Sequence, residues 1–365
     1  MLMKHTISTL GSHSALDVCD GAKKEGFDTL VAAQKGREKT YLLHYKSRKR
    51  EKKEIGVVDE VLLLNKFSEI TNPDKIEFMK KRNCIFVPNR SFSVYVGYDA
   101  IENKFPIPIF GNKKLLRAEE RDEGKNQYYL MEKAGIRFPK TIPSPDNIDR
   151  LSIIKVSEAK RSYERAFFLA SDPDEYEEKA NELLESGRIT KEGLQKARIE
   201  EFVIGAQFNL NFFYSPIHEE LELLGLDTRR QTNLDGLLRM PADVQLEALE
   251  SMVPRNIEVG HIACTMRESL LEQAFDLGER FVAAVQKEYR DGLIGPFALQ
   301  CAITEEDGKE DFVCFDVSFR MPGSPGTRFT PYSEYLFRES VSFGRRIAIE
   351  VKEAEKKKLV EKITT

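Results

Sequence analysis

Between His5 and Phe110, short apolar, β-branched runs alternate with segments of helical period, and this alternation narrows the possible folds more than any other feature. His5–Leu10, Thr29–Ala33, Val57–Leu64, Cys84–Pro88 and Pro106–Phe110 read as strands. After the first, Ala15, Leu16, Val18, Cys19 and Ala22 fall at helical spacing, and Gly26 follows as the C-terminal cap. Strands joined through helices make parallel sheets, so the spacing predicts an open α/β domain over residues 1–115.

Two further units follow, 116–205 and 206–365. A helical stretch ends at Lys133-Ala134-Gly135, and Pro139, Pro143 and Pro145 mark a linker. Strands Ser152–Val156 and Ala166–Ala170 flank a polar loop, Ser157–Arg165, before a charged helix over Pro173–Glu185. Ile199–Ile204 and Gln207–Tyr214 are strand-like, a long helix spans about Arg267–Lys287, and the Lys-rich end, Lys352–Lys358, reads as a solvated helix face.

The 365 residues suit two or three cores, and a net charge of -4 gives no case for nucleic-acid binding. No apolar run approaches the roughly 18 residues of a membrane span, and the first residues lack a signal-peptide pattern. Five widely spaced cysteines form neither a metal cluster nor a disulfide framework, which points to a reducing cytoplasm.

The sharpest chemical pattern lies in Phe297–Arg320. Read as a hairpin centred on Gly308, it sets Gln300 opposite Asp316. Phe297, Leu299, Cys301, Val313, Phe315, Val317 and Phe319 then share one apolar face. Ala298, Gln300, Ala302, Cys314, Asp316, Ser318 and Arg320 share the other, which reads as a pocket floor or as an ordinary wet sheet face. Mg2+ takes one or two protein oxygens and completes its shell from phosphates and water, so Gln300 and Asp316 suit it; Arg320 suits a phosphate or carboxylate.

Other signals are weaker alone. The turn Gly11-Ser12-His13-Ser14 enters a helix N-terminus and favours an anion, against a simple Ser14 N-cap with His13 at the surface. Lys155 ends an apolar strand within reach of a phosphate, or is merely solvated. Glu200-Glu201-Phe202-Val203 offers an adenine-binding edge or an exposed strand end. Gln207, Asn209 and Asn211 alternate on one side of a strand, and Asp227, Arg229, Arg230, Gln231 and Asn233 crowd the turn after Leu221–Leu226. His261 precedes the long helix, suited to a structural hydrogen bond or to a substrate.

Together, Thr9-Leu10-Gly11-Ser12-His13-Ser14, Ile109-Phe110-Gly111-Asn112-Lys113-Lys114, Ile199-Glu200-Glu201-Phe202-Val203-Ile204-Gly205, Arg267-Glu268-Ser269-Leu270-Leu271 and Ile294-Gly295-Pro296-Phe297 resemble the archaeal PurP family across nearly the whole chain. The resemblance implies an ATP-grasp fold with a Rossmann-like pre-ATP-grasp domain over 1–115, a small lid subdomain over 116–205 and a catalytic subdomain over 206–365. It implies a cytoplasmic ligase and symmetric homo-oligomer that formylates aminoimidazole carboxamide ribonucleotide with formate and ATP through formyl phosphate.

By the same resemblance His13 and Ser91 bind the nucleotide, and His261 faces it where an asparagine is usual. Lys155 faces ATP phosphates, Glu201 and Val203 line the adenine pocket, and Gln231 stands near ATP where a glutamate is usual. Gln300 and Asp316 hold Mg2+ or Mn2+, Asp316 replacing a glutamate, while Lys155 and Arg320 neutralise developing charge. The loop Val156–Arg165 lacks the family's glycines. Such departures also admit another carboxylate and amine pair, or a nucleotide-binding regulator without turnover.

Overall fold

The structure is a computed structural model that describes residues 4–120, 123–156, 167–252, 257–306 and 308–365. A four-stranded parallel sheet forms first, from β1 (Thr6–Leu10), β2 (Asp28–Gln34), β5 (Glu60–Leu64) and β6 (Cys84–Val87), in the order β5-β2-β1-β6. The short strands β3 (Arg48–Arg50) and β4 (Lys53–Ile55) make a separate hairpin. β1, β2 and β6 are almost continuously buried, as parallel strands covered on both faces must be.

Helix Ala15–Lys24 closes as its sequence foretold. Gly26 has φ 89°, the Gly26 amide donates to Lys23 O and the Phe27 amide to Ala22 O. The C-terminal helix Phe343–Lys357 returns to pack on it, crossing where Gly21 and Gly344 meet. A Cβ on Gly21 would lie 2.1 Å from the Arg345 amide nitrogen, so glycine is the only side chain this crossing admits. The buried face of the C-terminal helix carries Ile347, Val351 and Ala354, so its Lys-rich surface is only half of it.

Two expected strands shorten. Pro106–Phe110 contributes only isolated bridges, Ile109 to Phe86 in the parallel sense and Phe110 to Thr364 in the antiparallel, because Pro106 and Pro108 have no amide to donate to a ladder. Val57 and Val58 both donate to Tyr45 O, so β5 starts at Glu60 rather than at Val57.

A second sheet is antiparallel: β7 (Thr141–Ile142), β8 (Ser152–Lys155), β9 (Phe167–Ala170) and β10 (Arg198–Glu201), in the order β7-β10-β8-β9. Helix Pro173–Glu185, capped by Asp172, covers it. β10 stops at Glu201, where the Phe202 amide turns to Leu151 O, short of the expected Ile204.

The third sheet is antiparallel and long-stranded, built from β11 (Ala206–Ser215), β12 (Glu220–Gln231), β13 (Glu258–Cys264), β14 (Gly295–Glu306) and β15 (Lys309–Ser318). Its order is β13-β12-β11-β14-β15. Helix Glu268–Glu288 packs on one face, where Phe281 stacks on Phe297 at 5.8 Å and on Phe319 at 5.8 Å. Full burial of one such ring is worth about 1.5–3 kcal/mol. That commits one face of the sheet to the core and leaves the other for chemistry. No helix among the described residues is long and apolar enough to cross a membrane.

Candidate active site

One row of polar side chains crosses the free face of the third sheet. Gln300 lies opposite Asp316 on one side and Asn209 on the other, and Asn209 lies opposite Asp227. Directly opposed residues of antiparallel strands share a face, so four strands present these groups side by side. Two residues along β12 from Asp227, Arg229 lies opposite His261 on β13.

The expected pairing of Gln300 with Asp316 is present, but the face assignments around it are corrected by a bulge. Glu306 pairs with Lys309 and Cys301 with Cys314; the register then slips by one between Gln300 and Cys301. Phe315 is the extra residue, and side-chain parity reverses across it. Cys314 therefore joins Cys301 in the helix-covered core cluster, and Val313, fully buried as well, turns to the opposite face. Phe315 stands on the site face, lining a small hollow with Gln207, Asn209, Arg229 and Gln300.

A second correction concerns Asp227–Gln231, which belong to β12 and not to a turn. Pairing with β13 extends the strand and joins these residues into a continuous charge network. The Asn211 amide donates to Asp227 Oδ1 at 2.8 Å, and Asp227 Oδ2 bonds His261 Nδ1. His261 Nε2 lies 2.8 Å from Glu258 Oε1, and His13 Nε2 lies 3.3 Å from that same oxygen. Glu258 Oε2 is 3.2 Å from Arg229 Nε, while Arg229 Nη2 donates to Gln300 Oε1 and sits 3.9 Å from Asp316.

Burial alone would lower the His261 pKa, but Asp227 and Glu258 outweigh it and raise it to about 9, so the imidazole is a cation at neutral pH. Burial alone would raise Glu258, yet His13, His261 and Arg229 hold it well below the usual carboxylate range.

The turn at Gly11–Ser14 closes the site from the parallel sheet. Ser14 has φ 64° and makes no capping bond; its hydroxyl donates to Pro322 O at 2.6 Å instead. Ser14 thus occupies the N-cap position with His13 exposed beside it, but its side chain, in place of capping, ties the turn to the segment after β15. His13 rests against Gly323, where a Cβ would fall 2.0 Å from Nε2. Ser91 Oγ donates to Ser12 Oγ at 2.6 Å. Asn89 positions Ser91: its Oδ1 caps helix Arg90–Val96 by accepting from the Phe92 amide, and its Nδ2 donates to Leu10 O at 2.9 Å. These groups gather beyond the carboxyl ends of β1 and β6, the usual ligand end of an open α/β sheet.

Arg320 is mostly buried, and its Nε lies 3.4 Å from Glu119 Oε1, while Arg90 holds the other Glu119 oxygen at 3.2 Å. Burial pulls the Arg320 guanidinium below its ordinary pKa beyond what Glu119 restores. Gln231 ends β12 half-buried, its amide donating to Asp235 Oδ2 at 2.6 Å.

Lys155, Glu201 and Val203 lie in the second sheet or just beyond it. Lys155 Nζ is 2.5 Å from Glu200 Oε2, and Arg198 Nε is 2.5 Å from Glu200 Oε1, with Glu200 fully buried. Arg198 stacks on the Tyr128 ring at 3.8 Å. Glu201 Oε2 accepts from the Lys140 amide at 3.3 Å, and Val203 is half-buried past the strand end. The glycine-free loop after Lys155 lies outside the described residues.

Two family models cover most of the chain: "Protein of unknown function (DUF1246)" at residues 7–142 and "Domain of unknown function (DUF1297)" at residues 175–365. A protein of Methanopyrus kandleri named 5-formaminoimidazole-4-carboxamide-1-(beta)-D-ribofuranosyl 5'-monophosphate synthetase is 41% identical over 360 residues, 99% of this chain and 95% of its own. The crystal structure of an IMP biosynthesis protein PurP from Thermococcus kodakaraensis is 31% identical, with a TM-score of 0.71 over 98% of this chain and 100% of that one. The chain belongs to the PurP family. At 14% identity and a TM-score of 0.55, N5-carboxyaminoimidazole ribonucleotide synthetase from Thermotoga maritima covers 95% of this chain with 76% of its own and shows the shared ATP-grasp fold.

Within this PurP-family chain, the residues that sequence reasoning passed over are those that connect the site. Glu258 carries no signal of its own in the sequence, Arg229 and Asp227 read there only as crowding, and Glu200 only as part of a strand-edge run. The signal was present in β12 as Asp227-Thr228-Arg229, alternating like a strand and not like a turn. Gln300 and Asp316 offer an amide oxygen and a carboxylate facing the same way, the hard donor set Mg2+ accepts. The Arg229 guanidinium already occupies that pair as a stand-in cation, so the residues fit the ion.

Proposed function

We propose that this PurP-family protein is a formate-dependent ATP ligase that makes 5-formaminoimidazole-4-carboxamide ribonucleotide, ADP and phosphate from aminoimidazole carboxamide ribonucleotide, formate and ATP. The observation that carries it is the 41% identity over 99% of the chain to a relative bearing that synthetase name. Formate oxygen attacks the γ-phosphorus, the bond to ADP breaks, and formyl phosphate forms. The substrate amine attacks the formyl carbon, phosphate leaves, and the amine proton is lost.

His13 and Ser91 hold the nucleotide at the carboxyl ends of β1 and β6, and His261 places a cation beside it. Lys155 and Arg320 balance phosphate charge, while Glu201, Val203 and Gln231 border the adenine. Bound between Gln300 and Asp316, Mg2+ or Mn2+ would neutralise the transferring phosphoryl group. The protein's own part is positioning, and shielding the acyl phosphate from water. The division at residues 115 and 205, a symmetric homo-oligomer and a cytoplasmic setting, in keeping with five free cysteines, complete the reading.

The test is ADP release with Mg-ATP, formate and the aminoimidazole nucleotide, each omitted in turn. ADP that depends on both formate and nucleotide is the expected result. Turnover needing another carboxylate, or ligand binding with no turnover, rejects it.

A further inference from the structure

We propose that His13, Glu258 and His261 form a binding site for a borderline divalent transition cation of the Zn2+, Co2+ or Ni2+ class, separate from the Gln300–Asp316 pair. Their ligand atoms all lie within 4.8 Å of one another. His13 Nε2 and His261 Nε2 converge on a single oxygen, Glu258 Oε1, at 3.3 and 2.8 Å. Ligands on a tetrahedral ion with bonds near 2.0–2.1 Å stand about 3.4 Å apart, so small side-chain rotations complete the set. Two imidazoles and one carboxylate leave at least one position open, on the half-exposed His13 side.

The supporting contacts are those a metal centre needs. Asp227 holds His261 Nδ1, which directs Nε2 at the ion, and Asn211 fixes Asp227 in turn. Arg229 holds the other Glu258 oxygen, leaving Oε1 for coordination. Asp227, Glu258 and Asp316 outnumber Arg229 in the ion pairs around the site, a balance that favours a cation. Mg2+ prefers oxygen ligands and a hydrated octahedron, so this nitrogen-rich set discriminates against it.

The experiment titrates Co2+ into the full chain after chelator treatment and reads the visible d–d absorption. One Co2+ per chain with bands of four- or five-coordination is expected, undiminished by excess Mg2+. Glu258→Gln and His261→Asn should each weaken binding by more than about tenfold, and Asp227→Asn by about 10–100-fold. His13→Gln alters a half-exposed turn side chain, so the fold is not at stake there; it should weaken binding as strongly. The idea is overturned by no absorption change at millimolar Co2+. Parent-like binding in His13→Gln overturns it too, as does binding lost only in His218→Gln, which would place the ion at His218, Glu350 and Glu353.

Discussion

Raising the pH should strip stability from this protein through one residue, His261. Its folded pKa is about 9 against an ordinary value of 6.5, because Asp227 and Glu258 outweigh the effect of burial. A gap of two to three units at 1.36 kcal/mol each amounts to about 3 kcal/mol. The folded value is the higher one, so this contribution is fully present below about pH 6.5 and is lost as pH rises through about 9. The side chain is only 11% exposed, so solvent screening removes little of it. The chain has no tryptophan, and urea unfolding is best followed by circular dichroism at about pH 6 and about pH 10. The parent should lose about 3 kcal/mol more across that window than His261→Asn, in which the titrating group is gone and Asp227 keeps Asn211 as its partner. Cysteine and tyrosine titrations occur in both chains and cancel. Equal losses in parent and variant, to within about 0.5 kcal/mol, would refute the reasoning.

Asp316→Asn should lower ADP release by about 10²–10³-fold, while its partly exposed place on the edge strand keeps the thermal midpoint near the parent's; unchanged turnover rejects the metal role. Gly323→Ala places a methyl 2.0 Å from His13 Nε2, forcing the imidazole outward. It should raise KM for the nucleotide far more than it changes kcat or stability, and an unaltered KM would remove His13 from the substrate site. Glu200→Gln deletes the buried carboxylate shared by Lys155 and Arg198, which should cost about 3–5 kcal/mol in unfolding free energy; a loss under about 1 kcal/mol would show the pair is solvated.

The elements that the sequence made legible are those whose pattern is set locally. β1 and β2 are runs of apolar, β-branched residues, helix Pro173–Glu185 has an Asp172 cap before a proline, and Gly26 ends helix Ala15–Lys24 with the positive φ that glycine accepts most readily. What failed depended on partners. Pro106–Phe110 has strand composition but prolines at alternate positions, which leave Ile109 and Phe110 to make single bridges, and Val57–Val58 are drawn to Tyr45 O by the β3–β4 hairpin beside them. The Lys-rich end of the C-terminal helix is a solvated face as read, but the apolar stripe behind it finds helix Ala15–Lys24 more than 300 residues away, a partner no local pattern names.

The same distinction explains the site. Gln300 opposite Asp316 follows from counting residues out from Gly308, yet that count agreed with the structure only because two offsets cancelled. The turn pairs Glu306 with Lys309, one step tighter than a turn centred on Gly308, and the bulge at Phe315 restores the step. Strand alternation cannot reveal a bulge whose extra residue is itself apolar, and so Phe315 and Cys314 were assigned to the wrong faces. Arg229 and Glu258 were harder still. An arginine beside a polar run is ordinarily a surface residue, and Glu258 lies a whole helical excursion after β12. Only the β12–β13 register, Arg229 to His261, joins them, and that register is a long-range fact. The carboxylates that raise His261 to about 9 therefore come from a neighbouring strand and from three residues away along its own strand. A histidine that looked like a lone structural contact is in this way the centre of the site's charge.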